Sequence, residues 1–118
     1  MKTLVIGAST KPERYSYQAI ERLEEKQHDV IALGLKPGKV HDVSIETEKK
    51  DWKAVDTVSL YVGPAHQHAY IEYVLSLNPR RVLFNPGTEN PAFEDRLKKA
   101  GILAERACTL VLLATNQY

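Results

Sequence analysis

Apolar runs of strand length recur along this chain, and segments of helical period separate them. Residues 3–6, 29–34, 56–63, 81–85 and 102–106 are short and apolar, rich in Val, Ile and Leu. Between the first two, Ala19, Ile20 and Leu23 recur at helical spacing among charges, which predicts an amphipathic helix over 16–26. Strands that read as near-continuous apolar runs are covered on both faces, and strand–helix–strand repetition makes them parallel. The expectation is a doubly wound α/β domain, a parallel sheet of about five strands with helices on both faces.

The punctuation supports this order. Gly7 stops the first strand, and Pro64 suits the first turn of a helix over 65–77 that ends at Asn78-Pro79. Pro91 opens a charged helix to residue 100, with Gly101 after it. Residues 35–52 are polar and broken by Pro37 and Gly38, so they read as loop with a short extended piece near 43–45. The last stretch, "CTLVLLATNQY", fits either a terminal helix or an irregular segment packed on the sheet.

A chain of 118 residues with 43% hydrophobic residues can bury one core, so residues 1–118 are expected to form a single domain. Its net charge of +1 argues against nucleic acid or an acidic membrane as partner. An anion site must therefore be a local arrangement of donors. One cysteine, Cys108, excludes an internal disulfide and fits a reducing compartment. No apolar run reaches the length of a membrane span, so the expected location is cytoplasmic.

Open parallel sheets bind ligands beyond the carboxyl ends of their strands. The turns expected there collect Gly, Pro, hydroxyls, Asn, Lys, Arg and His, while the carboxylates lie mainly on helices. That composition suits an anionic, nucleotide-like small molecule. In "GASTKPER", Gly7 permits close backbone approach, and the amides of Ala8, Ser9 and Thr10 can face phosphate oxygens. The Ser9 and Thr10 hydroxyls add donors, and Lys11 and Arg14 add charge. An ordinary hydroxyl-capped turn has the same appearance.

The second turn discriminates among ligands. A site for NAD carries an acid at the end of the second strand, but Gly34, Leu35 and Lys36 stand there. A phosphorylated ribose fits better, as in coenzyme A or NADP. In the third turn, His66 and His68 at i, i+2 on a helix would point to different faces. They do not form the i, i+4 pair of a zinc site, and no metal is expected. His66 has a place near the cleft, whereas His68 reads as a surface residue. In the fourth turn, Asn85 offers an amide to a ligand and Gly87 again permits close approach. Cys108 reads as an inert small hydrophobe. No catalytic constellation is visible.

The turn "VIGASTKPERYSY", with "LKPGKV", "YVGPAHQ" and the single Cys after the last strand, resembles the small stand-alone CoA-binding domain family. That family is Rossmann-like and similar to the N-terminal domain of the succinyl-CoA synthetase alpha subunit. The resemblance covers nearly the whole chain. It implies phosphate contacts at Gly7, Ser9, Thr10, Lys11 and Arg14, with Lys36 near the adenosine end. It places Val62, Gly63 and Pro64 on a wall of the cleft, and Asn85, Pro86 and Gly87 on its far side. The family commonly has Asn-Pro before the lysine of the second turn, where this chain has Gly34-Leu35. Its fourth turn is closer to Gln followed by Gly, against "NPGTEN" here. The synthetase's catalytic machinery lies in a second domain for which this chain is too short.

The resulting expectation is a non-catalytic protein that binds CoA or an acyl-CoA. The alternatives are an NADP-binding enzyme or redox partner using the same edge, and an interaction subunit with a vestigial cleft. A homodimer through "TLVLLA" and a monomer capped by that run are both compatible with the sequence.

Overall fold

The computed structural model describes residues 1–118. A seven-stranded sheet runs through the molecule in the order β3-β4-β2-β1-β5-β6-β7. Its strands are β1 (Lys2–Ala8), β2 (Asp29–Gly34), β3 (Gly38–Val40), β4 (Val43–Glu46), β5 (Val55–Leu60), β6 (Arg81–Phe84) and β7 (Leu103–Arg106). The helices are α1 (Tyr15–Glu25), α2 (Ile71–Leu77), α3 (Pro91–Lys99) and α4 (Thr109–Ala114). Every pairing is parallel except β3 with β4.

Alternation along the strands sorts side chains into two cores, one per face. Leu4 and Ile6 of β1, Val58 and Leu60 of β5, and Val82 and Phe84 of β6 share one cluster with Val74 of α2 and with Phe93 and Leu97 of α3. Val5 points the other way, into a cluster with Ile20 and Leu23 of α1 and Leu113 of α4. Helices therefore cover both faces. Ile20, Leu23, Phe93 and Leu97 are fully buried, which is worth about 2 kcal/mol for each large apolar side chain. The Phe84 and Phe93 rings meet edge to face, 5.4 Å between centroids.

Seven strands replace the expected five. The additional pair is the β3–β4 hairpin: β4 coincides with the short extended piece expected near 43–45, whereas β3 lies in the stretch that reads as loop. Val40, Val43 and Ile45 are buried while Lys39 and Ser44 face outward, a period-two pattern too short to stand out. His41 makes its turn at φ +52, and His41 Nε2 lies 2.6 Å from Glu21 Oε2 on α1. The hydrogen bond to Glu21 holds the His41 pKa above its ordinary value.

Other boundaries move for identifiable reasons. Gly7 does not end β1; it forms a bulge within it, at φ +93, where the register slips between Ile6 and Ala8. Residues 64–70 form two 3₁₀ turns, Pro64–His66 and His68–Tyr70, before α2 begins. The terminal run resolves as α4, which packs on α1. At the start of α3, Asn90 Oδ1 accepts from Phe93 N and Glu94 Oε2 accepts from Asn90 N, a reciprocal cap. Burial works against the Glu94 carboxylate, but Arg106 and the Asn90 N–H outweigh it and hold its pKa low.

Ala54, exposed just before β5, sits at φ +56, a left-handed conformation that disfavours a Cβ. Ala54→Gly is expected to raise stability by about 0.5–1 kcal/mol, after the extra chain entropy of glycine is set against the relieved strain. The check is the urea midpoint, which should rise at constant slope; a lower midpoint contradicts the strain.

Candidate binding cleft

Strand order reverses at β1, whose neighbours β2 and β5 lead to opposite halves of the sheet. Diverging connections leave a crevice beyond the carboxyl ends of these strands. An open cleft of about 1030 Å³ occupies that position.

Its floor depends on two glycines. A Cβ on Gly7 would lie 2.9 Å from the Tyr61 carbonyl carbon and oxygen, beyond the end of β5. A Cβ on Gly34 would lie 2.5 Å from the Ala8 carbonyl oxygen. The ends of β2, β1 and β5 can approach this closely only because no side chain intervenes. Gly34→Ala is expected to cost about 1–3 kcal/mol, because the clash is with backbone rather than a flexible side chain. Chemical denaturation measures it; unchanged stability would show that the strand ends separate freely.

The first turn brings Gly7, Ala8, Ser9, Thr10, Lys11 and Arg14 to the cleft together. The Lys11 amide donates to Ser9 Oγ at 3.1 Å, and the Arg14 amide donates to Lys11 O at 3.0 Å, which shapes the approach to α1. Arg14 is the N-cap residue of α1, yet no side chain caps the helix and no acid lies in its first turn. The helix therefore presents its positive end uncompensated. Lys36 borders the cleft from the loop after β2, Val62 and Gly63 from the third turn, and Pro86 and Gly87 from the fourth.

Two expected residues are not brought to the cleft. Pro64 is exposed outside the lining, where it opens the first 3₁₀ turn. Asn85 is 1% exposed and engaged inside the protein. Its Nδ2 donates to Ser59 Oγ (3.1 Å) and Leu60 O (2.9 Å), and its Oδ1 accepts from Thr109 N (2.8 Å). Asn85 ties β6 to β5 and α4: both amide hydrogens are spent, and the one lone pair left on Oδ1 is buried with the side chain. Cys108 is a half-buried free thiol at the start of α4, also outside the lining.

The structure adds walls that the motifs do not reveal. Tyr15 and Leu35 flank the mouth, 69% and 88% exposed. Tyr61 and Tyr70 line the interior, and Ala65, His66, His68 and Ala69 form the lip opposite the β2 loop. Tyr70 could not be placed while 65–77 read as one regular helix. Both histidines border the cleft, contrary to the expectation for an i, i+2 pair on a helix, because the chain there is not α-helical. Burial pushes the Tyr61 phenol up to about 12, its hydroxyl enclosed within the protein.

Electrostatically the lining is one-sided. Lys11, Arg14 and Lys36 border it and no Asp or Glu does. The ion pairs of the protein engage other cations, and these three enter none of them. Glu89, within the fourth turn but outside the lining, accepts from the Gly87 amide at 3.0 Å. Such a cleft can hold an extended polyanion with hydrogen-bonding capacity along its length.

The doubly wound sheet and the cleft at its switch point define a small, Rossmann-like domain. The family described as CoA binding domain matches residues 1–114. The chain belongs to that family. It is similar to a solved structure described as an uncharacterized protein, at 44% identity and TM-score 0.97, over 99% of this chain and 97% of that one. A cell-free-expressed protein from Thermus thermophilus shares the fold at 22% identity and TM-score 0.87, over 99% and 90% of the two chains. A hypothetical protein from Pyrococcus horikoshii OT3 matches at 26% identity and TM-score 0.81, over 92% and 78%. These relatives too are small Rossmann-like proteins. No curated protein is significantly similar to the chain. No helix is long and apolar enough to cross a membrane.

Proposed function

We propose that the cleft binds coenzyme A or an acyl-CoA and performs no chemistry of its own. The observation that carries this reading is the cleft at the switch point, bordered by Lys11, Arg14 and Lys36 and by no carboxylate. Membership of the CoA binding domain family supports the choice of ligand.

The diphosphate rests on the Gly7 bulge, where backbone can approach it closely and the uncapped end of α1 favours negative charge. Lys11 and Arg14 neutralise it, Arg14 with a planar fork suited to phosphate oxygens. Lys36 follows β2, where a dinucleotide site for NAD would carry an acid, and so meets the ribose phosphate. The pantetheine arm runs along Val62 and Gly63 towards the 3₁₀ lip. Nothing on that path pairs a nucleophile with a base, so the protein acts as a carrier or sensor of the thioester. Its single free cysteine suits a reducing cytoplasm.

Calorimetric titration with CoA, NADP and NAD tests this. CoA is expected to bind, and Lys11→Ala/Arg14→Ala to weaken it on the order of 100-fold, since each charged hydrogen bond is worth about 1.5–3 kcal/mol. Binding should weaken as salt rises, because the lost contacts are with phosphate. NADP shares the diphosphate and phosphorylated ribose, and tighter binding of NADP than of CoA would replace this reading with a redox one.

A further inference from the structure

Ten polar or charged side chains of the protein are buried. Nine of them hydrogen-bond inside it, as Ser59 Oγ does with Thr109 Oγ1 at 2.8 Å and Thr88 Oγ1 with Asn85 O at 2.7 Å. The tenth is Ser16, which is 4% exposed and whose hydroxyl bonds to nothing in the protein. Its remaining surface opens into the cleft, whose lining it joins. Hydroxyls elsewhere on helices turn back onto the preceding turn: Ser76 Oγ donates to Tyr73 O at 2.6 Å, and Thr115 Oγ1 to Val111 O at 2.8 Å. Ser16 is the second residue of α1, so no helical turn precedes it to accept its proton.

Helical spacing put the hydroxyl there. Ser16, Ala19, Ile20 and Leu23 form the buried stripe of α1, and Ser16 is the member at the cleft end. Packing alone would be served by alanine, because an enclosed hydroxyl without a partner is unfavourable. Backbone donors lie beside it. The first hydrogen bond of α1 runs from Gln18 N to Arg14 O at 3.2 Å, which leaves the amides of Tyr15, Ser16 and Tyr17 without an acceptor in the protein. The start of α3, by contrast, is closed by Asn90 and Glu94. One turn of α1 therefore offers three amides and a hydroxyl, all free to donate.

We propose that Ser16 is a direct ligand of the diphosphate, its hydroxyl donating to a phosphate oxygen seated on the open amides of α1. The assignment rests on the CoA reading above and names a residue that holds the ligand from within the helix. An ionised phosphate oxygen only accepts, so it can take the hydroxyl proton and the amide protons together. Lys11 and Arg14 are exposed and must be ordered by the ligand, whereas Ser16 is already held by packing. A donor fixed in advance loses little freedom on binding, so it gives the diphosphate a defined position that the flexible cations do not.

The test is Ser16→Ala in the full chain, which removes the hydroxyl and keeps the three amides. CoA and dephospho-CoA are titrated by calorimetry into parent and variant; dephospho-CoA lacks the ribose phosphate and keeps the diphosphate. The variant is expected to bind both ligands more weakly by the same factor, about tenfold, the scale of a hydrogen bond to a charged group. Without ligand it should melt at or above the parent temperature, since it loses an unpaired enclosed hydroxyl and gains helix propensity. A lower melting temperature would show that the hydroxyl serves the fold, and overturns the assignment. Unchanged affinity for both ligands also overturns it while CoA binding by the parent stands. A loss confined to CoA overturns it too, because Ser16 would then meet the ribose phosphate. Absence of binding of both ligands by the parent overturns the CoA reading and the assignment together.

Discussion

Three strand ends meet at the cleft with backbone against backbone. The Gly7 bulge lies on the Tyr61 carbonyl, and Gly34 lies on the Ala8 carbonyl. With side chains at either position, β2 and β5 could not close on β1 at their carboxyl ends, and the crevice would lose its floor. The bulge gives the first turn its direction. Ala8 pairs with Gly34 after the slip, so Ser9 and Thr10 leave the sheet at the edge where the second and third turns arrive. Thr10 in turn packs on Gly38, where a Cβ would lie 2.5 Å from Thr10 Cγ2. The hairpin thus rests directly on the first turn, and His41 with Glu21 anchors it to α1.

The charge balance becomes intelligible once the acids are located. The chain is nearly neutral, at +1. Several of its carboxylates are paired away from the cleft: Asp56 with Arg80, Glu94 with Arg106, Glu46 with Lys50, Asp95 with Lys99. The more exposed of these pairs, Glu46–Lys50 and Asp95–Lys99, add little stability, about 0–1 kcal/mol each. Lys11, Arg14 and Lys36, which enter no ion pair, border the crevice. A local surplus of positive charge thus lies along the cleft of a protein with almost no net charge.

The parallel sheet was legible because its central strands are covered on both faces, which forces apolar runs such as "TLVI" and "VLF". The place of the first turn at the cleft was legible because it follows the central strand directly. Of the hairpin, β4 was legible as a short extended piece near 43–45, but β3 was not, since three residues leave too little alternation to read. Nor was the 3₁₀ lip. Its geometry comes from Gln67 reaching Thr88 and Asn90, contacts more than twenty residues away in sequence. Asn85 misled for the same reason, because an amide beside a glycine turn looks free until Ser59 and Thr109 are seen to hold it. Local pattern located the edge of the sheet; long-range hydrogen bonds decided which side chains face the cleft.

The central claim is that the carboxyl edge of β1, β2 and β5 is a CoA site, and amide chemical shifts address it directly. Titrating CoA into the isotopically labelled protein is expected to move the amides of Gly7, Ser9, Thr10, Lys36 and Gly63 together along one saturating curve. The opposite edge, around Lys2, Asp29 and Val55, should stay still. Shifts confined to that opposite edge, or none at saturating CoA, would contradict the account.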